Sequence, residues 1–392
     1  MQIVLFEDKK WSHFLPLVYT RPVADLRIGI LKISEKYQRL FDADVFHETR
    51  LYLRELFPDC TSADALRINA RLIPDAQVIA AIKKLEVNQT LKHNETTLAM
   101  RESADGSETI VSYDGTPLLL EAVTDLFTQN GAALKLDFEL MIAGRTSDRL
   151  HESNMIIGPQ ELLYVAPGAK VYASTFNTMD GPIYIDADSE VMEGSHVRGP
   201  FYLGEHSTLK MASKIYGPTT IGPHCKVGGE VSNSVIMGYS NKAHDGFIGN
   251  TVLGEWCNLG ADTNTSNLKN NYGKVRTWSY AHNGYADTGL TFCGLLMGDH
   301  SKCGINTMFN TGTVVGVCAN IFGGSFPPKH IPSFTWGGSE GFQEYEIGKA
   351  LETAMRVYER RGIKLSPAMS HMLTEVFNNT APQRREPPQS QE

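Results

Sequence analysis

Ile185, Val191, Val197, Leu203, Leu209, Ile215, Ile221 and Val227 fall six residues apart without a miss. The beat resumes as Met297, Cys303, Phe309, Val315 and Ile321. A helix repeats every 3.6 residues and an ordinary strand every two, so neither produces this spacing. A triangular coil does: each unit is one short flat strand plus a corner, and three units close a turn of about 18 residues. The aliphatic points inward and stacks on its counterpart one turn away. Glycine beside it, as in Leu203-Gly204, Ile221-Gly222 and Val315-Gly316, lets the backbone bend sharply. Each inward aliphatic contributes roughly 1.5–3 kcal/mol when buried, and only adjacent turns complete that core. The pattern predicts a β-helix of hexapeptide repeats over 156–335.

Two interruptions stand out. Residues 171–185 are out of phase, and 261–296 carry few beat residues. The second, "DTNTSNLKNNYGKVRTWSYAHNGYADTG", reads as a loop thrown out from the coil, the kind of segment that carries function on a rigid scaffold. Residues 1–150 have another texture. "QIVLF" (2–6) and "LRINARLI" (66–73) read as buried strands, "LKISEKYQRLF" (31–41) and "AQVIAAIKKLEV" (76–87) as helices, which predicts an α/β domain with parallel strands. Residues 340–378 read as two helices, the first stopped at Gly362 and the second opened by Ser366-Pro367 as N-cap and N1. They are expected to cover the open edge of the last coil. Residues 379–392 read as a disordered tail.

The net charge of −8, from 36 basic and 44 acidic residues, argues against nonspecific nucleic-acid binding, which needs a basic surface. No apolar run approaches the roughly 20 residues of a membrane span. The opening "MQIVLFEDKKW" lacks a secretory h-region. The six cysteines (Cys60, Cys225, Cys257, Cys293, Cys303, Cys318) show no C-x-x-C pair and read as reduced, buried small hydrophobes. The expectation is a soluble, cytoplasmic chain.

"GPTTIGPHCKVGGEVSNSVIMGYSNKAHDGFIGNTVLGEWCNLGADTNTSNLKNNYGKV" resembles the acetyltransferase half of the bifunctional N-acetylglucosamine-1-phosphate uridylyltransferase / glucosamine-1-phosphate N-acetyltransferase family. The chain as a whole is similar to a divergent bacterial branch of that family with a shortened N-terminal half. The resemblance implies a left-handed parallel β-helix, a homotrimer, and an acetyl-CoA site between subunits. "KAHDGFIG" keeps the family's lysine, alanine and histidine, with Gly249 five residues after His244, so His244 takes the position of the catalytic base. "NLGADTNTSN" puts Asn258 and Ala261 at acetyl-CoA or sugar contacts and Asn267 at a further polar contact. "GKVRT" makes Lys274 a candidate for substrate phosphate or carboxylate.

The chemistry fits the residue. Acetyl transfer to an amine needs a base during attack on the thioester; histidine, ordinarily titrating near 6.5, typically supplies about 10²–10⁴-fold. Asp245 is next in sequence and could orient the ring only from the same face, whereas adjacent residues on a coil often face opposite ways. No converging metal ligands are predicted: His206 and His224 are 18 apart and stack in register, without a third histidine. The chain also departs from the family. Ser232 and Asn233 stand where phosphate-holding lysines are expected and Phe247 replaces a tyrosine, which leaves Arg198, Lys242 or Arg276 to hold the acceptor. In the N-terminal half, "LPLVYTRPVADLRIG" offers Arg21 and Arg27 for nucleotide, but "FEDKKWSH" replaces the Gly-rich loop and Asn69 stands at the Mg²⁺ aspartate. The leading reading is N-acetylation of an amino-sugar phosphate from acetyl-CoA plus nucleotidyl transfer by the first domain. The alternative is a non-catalytic β-helix scaffold or sugar-nucleotide-binding regulatory protein.

Overall fold

A computed structural model describes residues 2–60, 65–102 and 108–385. From Met155 onward the chain winds as a left-handed parallel β-helix with three faces. The first face stacks nine strands from Leu163–Val165 to His330–Ile331, and the second runs from Lys170–Val171 to Thr335–Gly338. The third stacks six, from Met155–Ile157 to Phe247–Gly249. The beat residues from Ile185 to Val227 are buried in one apolar column.

Register explains where the beat fails. Leu203 pairs with Ile221, eighteen residues on, but Leu163 pairs with Ile183, twenty on, so the first coils are long. Val227 pairs with Lys242, only fifteen on, and Asn241 with Asn258, seventeen on. Asn258 then pairs with Lys302, because the segment read as a loop is inserted between them. That segment is a β-hairpin, Arg276–Ser279 against Gly284–Asp287, rather than an open loop. Its Val275 and Trp278 are buried in the same apolar cluster as Ile3, Leu5 and Leu17 of the N-terminal domain. The excursion thus clamps the two halves together.

One corner carries a column of rings. His206, His224, Tyr239, Trp256 and His300 all have positive φ, a conformation costing a non-glycine residue roughly 1–2 kcal/mol. Stacking offsets this cost. The ring centroids of His206–His224, His224–Tyr239 and Tyr239–Trp256 lie 5.0, 4.6 and 4.2 Å apart.

In the N-terminal domain the strands Val45–Glu48, Ile3–Phe6 and Leu66–Asn69 are parallel, as predicted. The sheet then turns mixed: Thr96–Arg101 runs antiparallel to Leu66–Asn69 and to Gln89–His93. Helices α1 (Ile33–Phe41) and α2 (Ala76–Lys83) fall within the predicted helical runs. Asp75 caps α2 by accepting from the N–H groups of Gln77 and Val78. Short α3 (Asp125–Thr128) and α4 (Asn130–Ile142) complete the domain.

Helix α5 (Ile347–Glu359) buries Ala350, Ala354 and Tyr358, and α6 (Pro367–Asn379) starts from the Ser366 cap. These helices do not lie over the end of the prism. The strand Gly341–Glu344 pairs with the last rung, while α5 and α6 pack sideways on Val317, Cys318 and Phe334 together with Tyr19 and Leu53. The segment read as a disordered tail begins with a helix, α7 (Ala381–Arg385); residues 386–392 lie outside the described residues. No helix among the described residues is long and apolar enough to cross a membrane. Cys225, Cys257, Cys293, Cys303 and Cys318 are free and buried, and Cys60 is buried as well.

Candidate functional site

The His244 corner joins the strand Asn241–Lys242 on the second face to Phe247–Gly249 on the third. His244 and Asp245 are exposed there. The seventeen-residue offset that pairs Asn241 with Asn258 places Ala261 at the equivalent corner position of the next coil, above His244. The two coils are held tightly. Gly246 has φ +114°, and a Cβ on it would meet the Thr263 carbonyl oxygen at 2.3 Å. Beyond the corner the ladder on the third face is broken, and the Asn264 side chain instead accepts from the Phe247 N–H at 2.9 Å.

Lys242 occupies an inward position, the slot that Val227 fills one coil below. It is 2% exposed, and its ammonium donates to the His244 carbonyl. Burial lowers its pKa to about 8, against the pull of Asp245 and Asp262. It therefore cannot hold an acceptor in solvent, as its basic character suggested; it anchors the corner from inside. Of the other basic residues considered, Arg198 is paired with Asp180 at 3.4 Å, and Arg276 donates to the Tyr285 carbonyl within the hairpin.

The sequence-predicted contacts are only partly assembled. Asn258 is exposed on the second face beside Asn241, and Ala261 lies at the corner above His244. Asn267 donates to the Asn250 side chain at 2.9 Å, on the far side of the Phe247 strand from His244. Lys274 is exposed, but its side-chain partner is Thr291, 3.4 Å away within the excursion. Asn264 was missed, since its role depends on a broken ladder.

In the N-terminal domain the predicted nucleotide residues are structural. Arg21 is 3% exposed and binds Glu255 at 3.0 Å and Asp299, both on the β-helix; Thr20 adds a 2.7 Å bond to Asp299. Although burial pushes the Glu255 carboxyl up, Arg21 and Lys32 bring it down to about 2. Arg27, 5% exposed, donates to the carbonyls of Met237 and Ile30. Both arginines close the seam between domains, because a buried guanidinium needs fixed acceptors. Asn69, 1% exposed, donates to Asp8 and to the Thr97 carbonyl. Arg71 brackets Asp8 at 2.6 Å and Glu121 at 2.9 Å. Burial raises the Asp8 pKa, but Arg71 and Asn69 more than reverse this and hold it below the usual value. Two carboxylates already bound to one arginine, beside a neutral amide, do not suit a hard dication. These residues do not fit Mg²⁺.

Residues 3–146 match the family model described as sugar nucleotidyl transferase. A bifunctional sugar-1-phosphate nucleotidylyltransferase/acetyltransferase of Sulfurisphaera tokodaii is 31% identical over 153 residues. That match covers 38% of this chain and spans 38% of the relative's length. Among solved structures, an Arabidopsis UDP-N-acetylglucosamine acyltransferase is 16% identical with a TM-score of 0.25, covering 60% of this chain and 99% of its own. A UDP-N-acetylglucosamine acyltransferase from Bacteroides fragilis 9343 is 12% identical with a TM-score of 0.27, covering 59% and 97%.

Proposed function

We propose that the chain is a sugar-phosphate transferase whose β-helix acetylates the amine of an amino-sugar phosphate, of the glucosamine-1-phosphate class, with acetyl-CoA as donor. The observation that carries this reading is the exposed His244 imidazole on a corner fixed from within by Lys242 and from above by the Gly246–Thr263 contact. In the proposed step the acceptor nitrogen attacks the thioester carbonyl carbon while His244 takes its proton. The C–S bond then breaks, and the departing thiolate takes that proton from the imidazolium and leaves as the free thiol of coenzyme A. A base contributes about 10²–10⁴-fold, and the fixed corner adds by orienting the reactants. Asn258 and Ala261 are the proposed donor or sugar contacts, with Asn267 and Lys274 further out. A homotrimer, in which a neighbouring copy closes the cleft, is part of the proposal.

The test follows free thiol on mixing acetyl-CoA with glucosamine-1-phosphate, for the wild type and His244→Ala. Release that survives the substitution removes His244 from the mechanism, and no release with any amino-sugar phosphate favours a scaffold. For the first domain, the matching family model supports nucleotidyl transfer to a sugar-1-phosphate. The Arg71–Asp8–Glu121 bracket favours a second reading, a domain that binds without catalysis. Pyrophosphate release from UTP or dTTP with sugar-1-phosphate and Mg²⁺ separates the two.

A further inference from the structure

A cavity of about 370 Å³ opens between the second face of the β-helix and the end of α5. That size lies within the roughly 300–1,000 Å³ of small-molecule sites. Its floor is one outward column in register, Lys226, Asn241, Asn258 and Lys302. Successive rungs lie about 4.8 Å apart, so the two lysines bracket two side-chain amides over roughly 14 Å. Arg360 and Arg361 line the opposite wall. Tyr358 holds that wall in place by stacking on Trp256 with centroids 4.1 Å apart.

Four cations therefore face one space in a chain of net charge −8. Among the described residues none of the four is ion-paired with a carboxylate. Arg361 reaches only the Asn241 side-chain oxygen at 3.5 Å, and Lys302 donates to the His300 carbonyl. The α5 C-terminus accounts for two arginines, because a helix end carries partial negative charge. It does not account for lysines contributed by separate coils. Like charges gathered without a counter-charge repel, and an anion seated between them removes that cost. Arginine forks and amide donors suit phosphate oxygens in particular.

We propose that this cavity binds the pyrophosphate group of a nucleotide ligand within a single protomer. Coenzyme A and a nucleoside diphosphate sugar share that chemistry. The inference does not depend on His244 being a base, because it concerns equilibrium binding alone.

Isothermal titration of the full chain with coenzyme A, UDP-N-acetylglucosamine and inorganic pyrophosphate tests it. Wild type should bind at least one of these saturably. Lys302→Gln and Arg361→Gln should each bind about tenfold more weakly or worse, with thermal melting confirming that both are folded. Lys214→Gln, which removes an exposed lysine paired with Glu230, should bind as wild type. Binding by coenzyme A alone or by the nucleotide sugar alone identifies the source. No saturable binding by the wild type, or unchanged affinity in both cavity variants, overturns the proposal. Loss of binding in Lys214→Gln to the same degree also overturns it, as nonspecific charge attraction. Binding as expected without any acetyl transfer would leave this site standing and sink the acetyltransferase reading.

Discussion

Lys242 donates its ammonium to the backbone carbonyl of His244 from inside an otherwise apolar prism. The two residues face opposite ways: the lysine is buried and the imidazole is exposed. A buried cation in a hydrocarbon column is costly, and here its one hydrogen bond ends at the corner that carries the proposed base. Lys242→Met should therefore separate stability from activity. Lowering the amine from 10.5 to about 8 corresponds to roughly 3 kcal/mol of destabilisation, to an order of magnitude. That penalty is fully present below pH 8, where folded and unfolded amines are both charged, and fades as pH rises toward 10.5. The variant leaves a carbonyl without its donor, at a cost of about 1 kcal/mol. It should be more stable than wild type at pH 7 by about 1–2 kcal/mol, while thiol release falls about 10²-fold. Urea unfolding at pH 7 and pH 10 checks the first half; a difference from wild type that does not shrink with pH would show that the amine is not desolvated.

Gly246→Ala should damage the same corner for a different reason. The residue sits at φ +114°, and the added methyl would fall 2.3 Å from the Thr263 oxygen. Neither the backbone nor the coil above can move without breaking register, so a loss of about 2–4 kcal/mol is expected. Calorimetry gives the change directly. A melting temperature within a degree of wild type would mean that the coils are not in the contact described.

The seam between domains rests on Arg21. Arg21→Ala would strand Asp299 in the interior and leave Glu255 with Lys32 alone, 3.8 Å away, at an expected cost of about 3–5 kcal/mol. Adding Glu255→Gln and Asp299→Asn should recover much of that loss, since the stranded charges rather than the missing contact dominate. The acid limb carries a second signature. Because the Glu255 pKa is depressed to about 2, its stabilisation is complete above the unfolded value of 4.5 and is lost as pH falls toward 2. Acid unfolding of Glu255→Gln should accordingly lack part of the wild-type slope between those values. Identical acid curves would place that carboxylate outside the ion pair.

The prism was legible in the sequence because inward aliphatics at fixed spacing leave few other folds. It became illegible where the coils shorten to fifteen and seventeen residues and a lysine takes an inward slot. Lys242 looked like a solvent cation because nothing local marks it as core. Arg21 and Arg27 looked like ligand-binding cations for the same reason, since their partners, Glu255, Asp299 and Met237, lie more than two hundred residues away. The excursion after Thr265 was visible as a break, but its docking through Trp278 is a tertiary contact without a local signature. The outward column of Lys226, Asn258 and Lys302 could have been found, as each directly precedes an inward beat residue. Nothing local sets it apart, because outward positions on a coil are ordinarily solvated.

Tyr358 decides whether the C-terminal helices stay on the prism. Its ring stacks on Trp256, and it is 5% exposed within a small interface formed with Ala350 and Ala354. Tyr358→Ala removes that aromatic contact and leaves a void where α5 meets the corner column, costing about 3 kcal/mol locally. Few other buried side chains of α5 hold this end, so the loss should show as local opening rather than global unfolding. Arg360 and Arg361, which follow directly, make convenient reporters, because trypsin cleaves after each once the segment is released. Cleavage there should quicken about 10²-fold in the variant if opening is fast relative to cutting, while the melting temperature of the remainder changes little. Equal cleavage rates in the two proteins would mean that α5 is held by contacts other than this stack.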